Sequence, residues 1–365
     1  MDQVTGQIFG EWLPSSAPRD SHAAKAPAPR HVGAFTSSSR SAAVWPISES
    51  VLVSLQRSAS LSRNAAWGYA YGQPDRLIDV ARRAAAERWS FLAPAHAVER
   101  ALAEVITGDL SDAARRAVVA TLAQRIPNTL DRSLPRSILE LYPHALSVLA
   151  DFLEGETPYD DDLFAKDIRF VSGATVPAGS QGVDILFSQS IGATLGRLRR
   201  TLGTLGRLTR TGRPGRALRL VAGGGVGDWL QIHTDVRDVS DFNPKGWERC
   251  YHRVADILEA RPRLAGMLGI SWFYDPQLPT ISPRLRYLQD HPLEHGAFLV
   301  RLKGGAVHSQ RAGATSPTRR SLIETGAYVP VAYALFWPRR ELLRWARCVG
   351  SETEDVSPLR MSDVA

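Results

Sequence analysis

The chain has 365 residues, 44% of them hydrophobic and 22% charged, with a formal net charge of +7. That length has room for two ordinary domains, and the composition is that of a chain with a packed core. No apolar run approaches the ~20 residues of a membrane-spanning helix, and MDQVTGQIFGEWLPSSAPRD lacks the cationic start and apolar stretch of a secretory leader. Cys250 and Cys348 are the only cysteines and have no CxxC or CxxxH spacing, which argues against a disulfide framework or thiolate zinc site. Both are expected on helix faces, buried and inert, in a cytoplasmic protein. Arginine carries nearly all the positive charge, since Lys25, Lys166, Lys245 and Lys303 are the only lysines. A mild basic excess favours anionic ligands such as phosphorylated cofactors.

Residues 1–62 are rich in Ser, Ala and Pro, a composition expected to stay disordered apart from a short docked piece near Val44–Val53. A mainly helical domain is expected over 63–190. Leu77, Ile78 and Ala81 share one helical face, and further helices are predicted at Pro94–Ile106, Asp112–Gln124 and Ser137–Leu153 from their start signals. The segment from Ile168 to Gly179 and the run Val183–Phe187 read as two strands joined by a turn.

Residues 191–226 form a basic Gly/Arg-rich linker in which LGRLRRT and LGRLTRT make an imperfect repeat. Gly192, Gly196, Gly203, Gly206, Gly212 and Gly215 each cost a helix about 1 kcal/mol relative to Ala, which favours a solvated linker. The competing reading is a basic amphipathic segment over 191–220 that touches anionic membrane or nucleic acid, making the protein a non-enzymatic adaptor.

From 227 to 348 strands and helices alternate. Strands are predicted at Trp229–Asp235, Gly269–Tyr274, Ala297–Leu302 and Tyr328–Trp337. Helices are predicted at Pro244–Glu259, capped by Asn243, at Ser282–Leu288, at Ser316–Thr325, ended by Gly326, and at Pro338–Arg347. The tail, 349–365, reads as flexible. The fold class is therefore α+β overall, a helical N-terminal domain followed by a mixed-sheet α/β domain that carries the chemistry.

Three groups of residues invite chemistry. On a strand, Trp272 and Tyr274 would share one face and Phe273 the other; Asp275-Pro276 turns the chain at the strand end, where α/β proteins place ligand clefts. Tyr274 and Asp275 would then line that cleft. Arg284, Arg286, Arg319 and Arg320 follow loops that could converge there and hold phosphate. The second group is His233-Thr-Asp235 with His308: two histidines and a carboxylate suit Fe(II) in an oxygenase, with Arg319 about ten residues beyond His308 as in enzymes that use 2-oxoglutarate.

The third is a resemblance. Strand, helix and strand, then Ser316-Pro-Thr-Arg-Arg-Ser-Leu-Ile-Glu-Thr-Gly-Ala-Tyr before a last strand, resembles the closing half of the GNAT superfamily of acyl-CoA-dependent N-acyltransferases over residues 269–337. The family's late helix ends in a leucine–glycine–aromatic corner, matched by Leu322, Gly326 and Tyr328. The resemblance implies a GNAT-like fold and transfer of an acyl group from a CoA thioester to a small-molecule amine. Tyr328 would be the acid for the leaving thiol, and Asp275 or His233 the base for the amine. Arg284, Arg319, Arg320 and Tyr274 would hold the cofactor. The family's glycine-rich pyrophosphate loop has no counterpart in Asp275-Pro-Gln-Leu-Pro-Thr-Ile-Ser-Pro-Arg, which contains no glycine.

Overall fold

Helices build the N-terminal layer because apolar residues recur there at helical spacing. The computed structural model describes residues 48–60, 65–87, 90–104, 110–186, 203–206, 215, 221, 227–235, 237, 239–304 and 306–354. Helices α1 (Glu49–Ser60), α2 (Ala65–Gly72), α3 (Pro74–Glu87), α4 (Ala93–Leu102), α5 (Asp112–Ala123), α6 (Tyr142–Glu154) and α7 (Asp161–Val171) follow in order. Helix α5 is buried nearly all round, through Ala114, Ala117, Val118, Val119, Ala120, Leu122 and Ala123. A helix apolar on every side belongs inside a layer, not at its edge. Ser111 caps it by accepting from Ala114 N at 3.3 Å.

Two expectations change here. Disorder was expected through residue 62 apart from a docked piece near Val44–Val53; α1 overlaps that piece and runs on to Ser60, packing on α5 and α6, and Leu55 within it is 0% exposed. The Ser-rich composition hid Leu55 and Ala59, four residues apart on one face. Ile168 was expected to open a strand, but Asp161–Val171 is helix. Asp160 caps it by accepting from Leu163 N at 2.8 Å, and Phe164, Ala165, Ile168 and Val171 are buried at i, i+1, i+4 and i+7.

The hairpin of β1 (Thr175–Pro177) and β2 (Gln181–Asp184) turns through Gly179 at φ +105°. The expected domain boundary at 190 does not separate layers, because both strands join the C-terminal sheet. That sheet adds β3 (Asp228–Thr234), β4 (Leu264–Ser271), β5 (Phe298–Gly304) and β6 (Val331–Pro338), in the order β1-β2-β3-β4-β6-β5. Every neighbouring pair is antiparallel except β3 and β4. A parallel pair needs a crossover, and α8 (Pro244–Ala260) supplies it. Asn243 caps α8 by accepting from Gly246 N at 3.0 Å, as the Asn-Pro signal predicted.

The β3–β4 ladder ends at Ile232↔Gly269. Each strand runs two residues further: β3 still pairs with β2 at Thr234, and β4 still pairs with β6 at Ser271. The two parallel strands thus part at their C-terminal ends. Beyond Ser271 the chain leaves the sheet in a 3-10 turn, Trp272–Tyr274, begun by Ser271 Oγ accepting from Phe273 N at 3.1 Å. The expected strand alternation of Trp272, Phe273 and Tyr274 therefore fails; Trp272 and Tyr274 are both buried. Tyr274 folds back over β4, where its ring fills the space a side chain at Gly269 would need.

One sheet face packs on α8, α9 (Tyr287–Glu294) and α12 (Arg339–Glu354) through Leu230, Ile232, Met267, Leu299, Leu335 and Trp337. That core is continuous with the N-terminal helices. The opposite face holds a second cluster around Trp229, Phe298, Val300, Ala334 and Phe336. Between β5 and β6 lie α10 (Ala306–Ala314) and α11 (Pro317–Glu324), the latter capped by Ser316 and followed by Gly326 at φ +73°, as expected. Cys250 is buried, which pushes its thiol up to about 12, but Cys348 is exposed and corrects that half of the expectation. Among the described residues no helix is long and apolar enough to cross a membrane. Residues 1–47 and 355–365, and nearly all of the basic segment 191–220, lie outside the described residues.

Because Leu55 is fully buried, Leu55→Ala is expected to destabilise the protein by about 2–5 kcal/mol in urea unfolding. A disordered segment at that position would give no change.

Candidate active site

Between Phe91 in the turn before α4, helices α6 and α7 and the β1–β3 edge of the sheet lies a cavity of about 90 Å³. Its apolar wall includes Phe91, Val148, Leu149, Phe170 and Val176; its polar lining includes His144, Lys166, Arg169, His233, Asp235 and Arg237. Helix α7 contributes Lys166 and Arg169 one turn apart (i, i+3), so both reach the same side. The hairpin brings Gln181 beside Thr234, and Gly182 beside His233.

His233 is held by a carboxylate. Its Nε2 lies 2.9 Å from Asp184 Oδ2. Thr175 Oγ1 donates to Asp184 Oδ1 at 2.6 Å, and Arg169 Nη2 is 2.7 Å from Asp184 Oδ2. Asp184 is 3% exposed, so its charge depends on the Arg169 guanidinium and these donors. Phe91 packs on the imidazole at 5.0 Å between ring centroids, and the Arg169 guanidinium lies 5.2 Å from the same Phe91 ring. With Nε2–H donated to Asp184, the neutral imidazole carries its lone pair on Nδ1, which makes no hydrogen bond among the described residues. A carboxylate that fixes a histidine's tautomer and leaves one nitrogen to take a proton is the arrangement of a general base.

Ion pairs surround this dyad. Arg237 spans two carboxylates, with Nη1 2.6 Å from Asp167 Oδ1 and Nη2 2.7 Å from Asp235 Oδ2. Tyr159 donates its hydroxyl to Asp167 Oδ2 at 2.6 Å. Burial raises the Asp167 carboxyl, and Arg237 offsets this only in part. For Asp235 the balance reverses: burial would raise it, but two hydrogen bonds and the charge of Arg237 hold it below its ordinary value. Asp162 is likewise lowered, against its burial, by Lys166 at 3.0 Å and by Arg311, which reaches across from α10 at 3.4 Å.

The other expected site residues lie elsewhere. Tyr328 and Asp275 do meet, the Tyr328 hydroxyl donating to Asp275 Oδ2 at 3.3 Å, and both are buried. Asp275 also accepts from Val331 N at 2.9 Å and Gln277 N at 3.1 Å. With both oxygens committed and 2% of the residue exposed, Asp275 joins β4 to β6, and the base role expected of it does not suit it. Tyr274 is buried over Gly269 and does not line the cavity. Of the expected arginines, Arg319 comes close enough to Arg284 and Tyr328 to feel their charges, away from the cavity. Arg319 is buried, 5.0 Å from the Trp272 ring, and donates to Ala312 O and Ser282 Oγ at 2.7 and 3.1 Å, whereas Arg284 and Arg320 are exposed. Asp235 is chelated by Arg237, His233 is engaged with Asp184, and His308 lies on α10. Among the described residues no group of three His, Cys, Asp or Glu side chains is placed to hold a metal.

Of the expected residues only His233 and Asp235 line the cavity. Asp184, Arg169, Thr175 and Gln181 were missed. Asp184 lies 49 residues before His233, in a stretch without local motif; Arg169 and Thr175 meet Asp184 itself, and Arg169 stands in what was read as a strand. No protein-family model, no curated protein and no solved structure matches this chain.

The lowered Asp162 and Asp235 carboxyls contribute stability that is complete above the ordinary carboxylate value of about 4 and is lost as pH falls through their folded values. Asp167, raised, contributes in the opposite sense, below that range. Replacing Asp162 and Asp235 by Asn is therefore expected to flatten the loss of stability as pH falls below about 4, as read by urea midpoints at each pH.

Proposed function

We propose that the protein transfers an acyl group from a CoA thioester to a small-molecule amine, with His233 as the base. The observation that carries this reading is the Asp184–His233 dyad, on a cavity-lining strand whose partner β4 parts from it at that same end. Where β3 and β4 separate, His233–Thr234 and Ile270–Ser271 have no ladder between them. Main-chain groups on such facing edges suit the amides of an extended ligand, as in strand addition. A thioester arm lodged there would bring its carbonyl to the strand end where an amine in the cavity meets His233.

The chemistry balances with these groups alone. The amine nitrogen forms a bond to the thioester carbonyl carbon while His233 Nδ1 takes its proton. The C–S bond then breaks, and the protonated imidazole returns that proton to the thiolate sulfur. Asp184 stabilises the imidazolium formed between the two steps, and Arg169 keeps Asp184 ionised. Tyr328, the acid that the resemblance implies, has its hydroxyl engaged by Asp275 within the fold; it serves here to position the β6 entry.

Thermal unfolding with a panel of CoA thioesters tests the donor. A thioester at about 100 times its dissociation constant adds about 2.7 kcal/mol to stability, and one thioester class is expected to do so. His233→Asn should keep that shift and lower kcat by about 10²–10⁴. No shift with any thioester overturns the proposal. Tyr328→Phe is expected to lower the melting temperature yet keep kcat within about tenfold; a larger fall would return the acid role to Tyr328.

A further inference from the structure

Three histidines gather around the Trp345 indole, and none of these residues lines the cavity. His252 comes from α8, His291 from α9, His295 from the residue that closes α9, and Trp345 from α12. The ring centroids of His252, His291 and His295 lie 4.5, 5.1 and 6.3 Å from that of Trp345. His291 and His295 are 5.0 Å apart. Tyr251 of α8 stacks on His291 at 5.9 Å, and Trp337 of β6 crosses it at 6.2 Å. Leu342, Leu343 and Trp345 are buried on α12, and Trp345 is the last of them along the helix. The start of α12 is tied separately, by Arg339 donating to Leu258 O and, at 3.3 Å, to Arg261 O. Further on, Arg347 meets Glu259 at 3.4 Å in an exposed pair that contributes little. The histidine cluster therefore decides whether the second half of α12 stays down.

Neutral imidazoles suit this packing and imidazoliums do not. An imidazolium donates from both nitrogens, and His291 Nε2 is buried without a hydrogen-bond partner among the described residues. Burial, His295 and His252 hold His291 below its ordinary value, against the pull of Glu248 from α8 and Glu294 from α9. The remaining charges nearby are already paired: Glu341 of α12, which lies against Gly296, with Arg344 at 2.6 Å, and Asp290 of α9 with Arg286 at 2.7 Å. Burial pushes up the Tyr251 and Tyr287 hydroxyls, which stay neutral near pH 7, and β6 contributes the uncharged Trp337. Undocking returns the histidines to water, where an imidazole titrates at about 6.5. The undocked state thus takes up protons more readily than the docked one. Docking is at full strength above about pH 6.5 and weakens as the pH falls below it.

We propose that His252, His291 and His295 form an acid-sensitive latch, which holds α12 through Trp345 at neutral pH and releases the helix beyond Leu343 in mild acid. Near neutrality the rings pack as apolar surface. As protons bind, like charges 5.0 Å apart and an imidazolium without an acceptor are relieved by moving Trp345 out. This window lies above the one in which Asp162 and Asp235 titrate. No residue of the cavity takes part, so the latch stands or falls independently of acyl transfer.

A nitroxide on Cys348 reads the state of α12 in the full chain. Cys348 is exposed on that helix, while Cys250 is buried with its thiol pushed up to about 12, so a thiol-reactive label selects Cys348. Electron paramagnetic resonance is expected to show the label immobile at about pH 8 and mobile at about pH 5, with a midpoint between about pH 5 and 6.5. Far-UV circular dichroism should keep most of its helical signal across that step. Replacing His252, His291 and His295 together by Gln is expected to leave the label immobile throughout. Should that variant fail to fold, His295→Gln alone, at an exposed position, is expected to move the step down by about half a pH unit. Label mobility that does not change with pH, or a step unmoved by the variant that folds, would overturn the latch. So would a step that coincides with loss of most of the helical signal, which is unfolding of the whole chain.

Discussion

The Asp184 carboxylate is where the helical layer and the sheet are joined by charge. It stands on β2, receives Arg169 from α7 and Thr175 from β1, and is met by His233 from β3. A carboxylate this deeply buried is tolerated only when paired, and removing one partner of such a pair costs about 3–5 kcal/mol. Four elements must therefore be in register before the charge can be buried at all. The same demand fixes the imidazole, because a ring held at Nε2 and packed on Phe91 has little freedom left to turn. Stability and preorganisation rest here on one set of contacts.

A second constraint comes from topology. One parallel pair inside an otherwise antiparallel sheet forces a crossover helix, and α8 packs its Trp247, Tyr251, Val254 and Leu258 against one face. The two strands of that pair are then held apart at their ends by different neighbours, β2 on one side and β6 on the other. Asp275 secures the β4–β6 side with two hydrogen bonds to its buried carboxylate, from the Tyr328 hydroxyl and Val331 N. The Tyr274 ring over Gly269 fills the core beneath the divergence. The opening between β3 and β4 and the cavity beside His233 thus follow from a single arrangement of strands.

Much of the fold was legible in the sequence, wherever local chemistry decides local structure. Ser111, Asn243 and Ser316 announced helix starts, Gly326 announced an end, and the strand expected at Tyr328–Trp337 is found as β6. Composition misled where it was averaged over too long a window, since one buried leucine in a Ser-rich stretch suffices to dock α1. The strand reading of Ile168–Val171 failed because four consecutive residues, three of them apolar, fit either period, and the decisive Asp160 cap lies eight residues earlier. Trp272–Tyr274 has strong strand propensity, but Ser271 closes a turn there and the aromatic rings pack on their own strand.

By itself the sequence determined the helical N-terminal layer, the alternating C-terminal half and the presence of a histidine at a strand end, because each depends on residues within a turn or two of one another. Only the tertiary structure decided which carboxylate that histidine meets, that the β1–β2 hairpin belongs to the sheet, and that Arg169 answers the Asp184 charge. The histidine and its carboxylate stand 49 residues apart in the chain. Such contacts are chosen by which arrangement buries the apolar faces of α1, α5, α7 and the sheet together while leaving the Asp184 charge paired, and no local pattern in the chain records that choice.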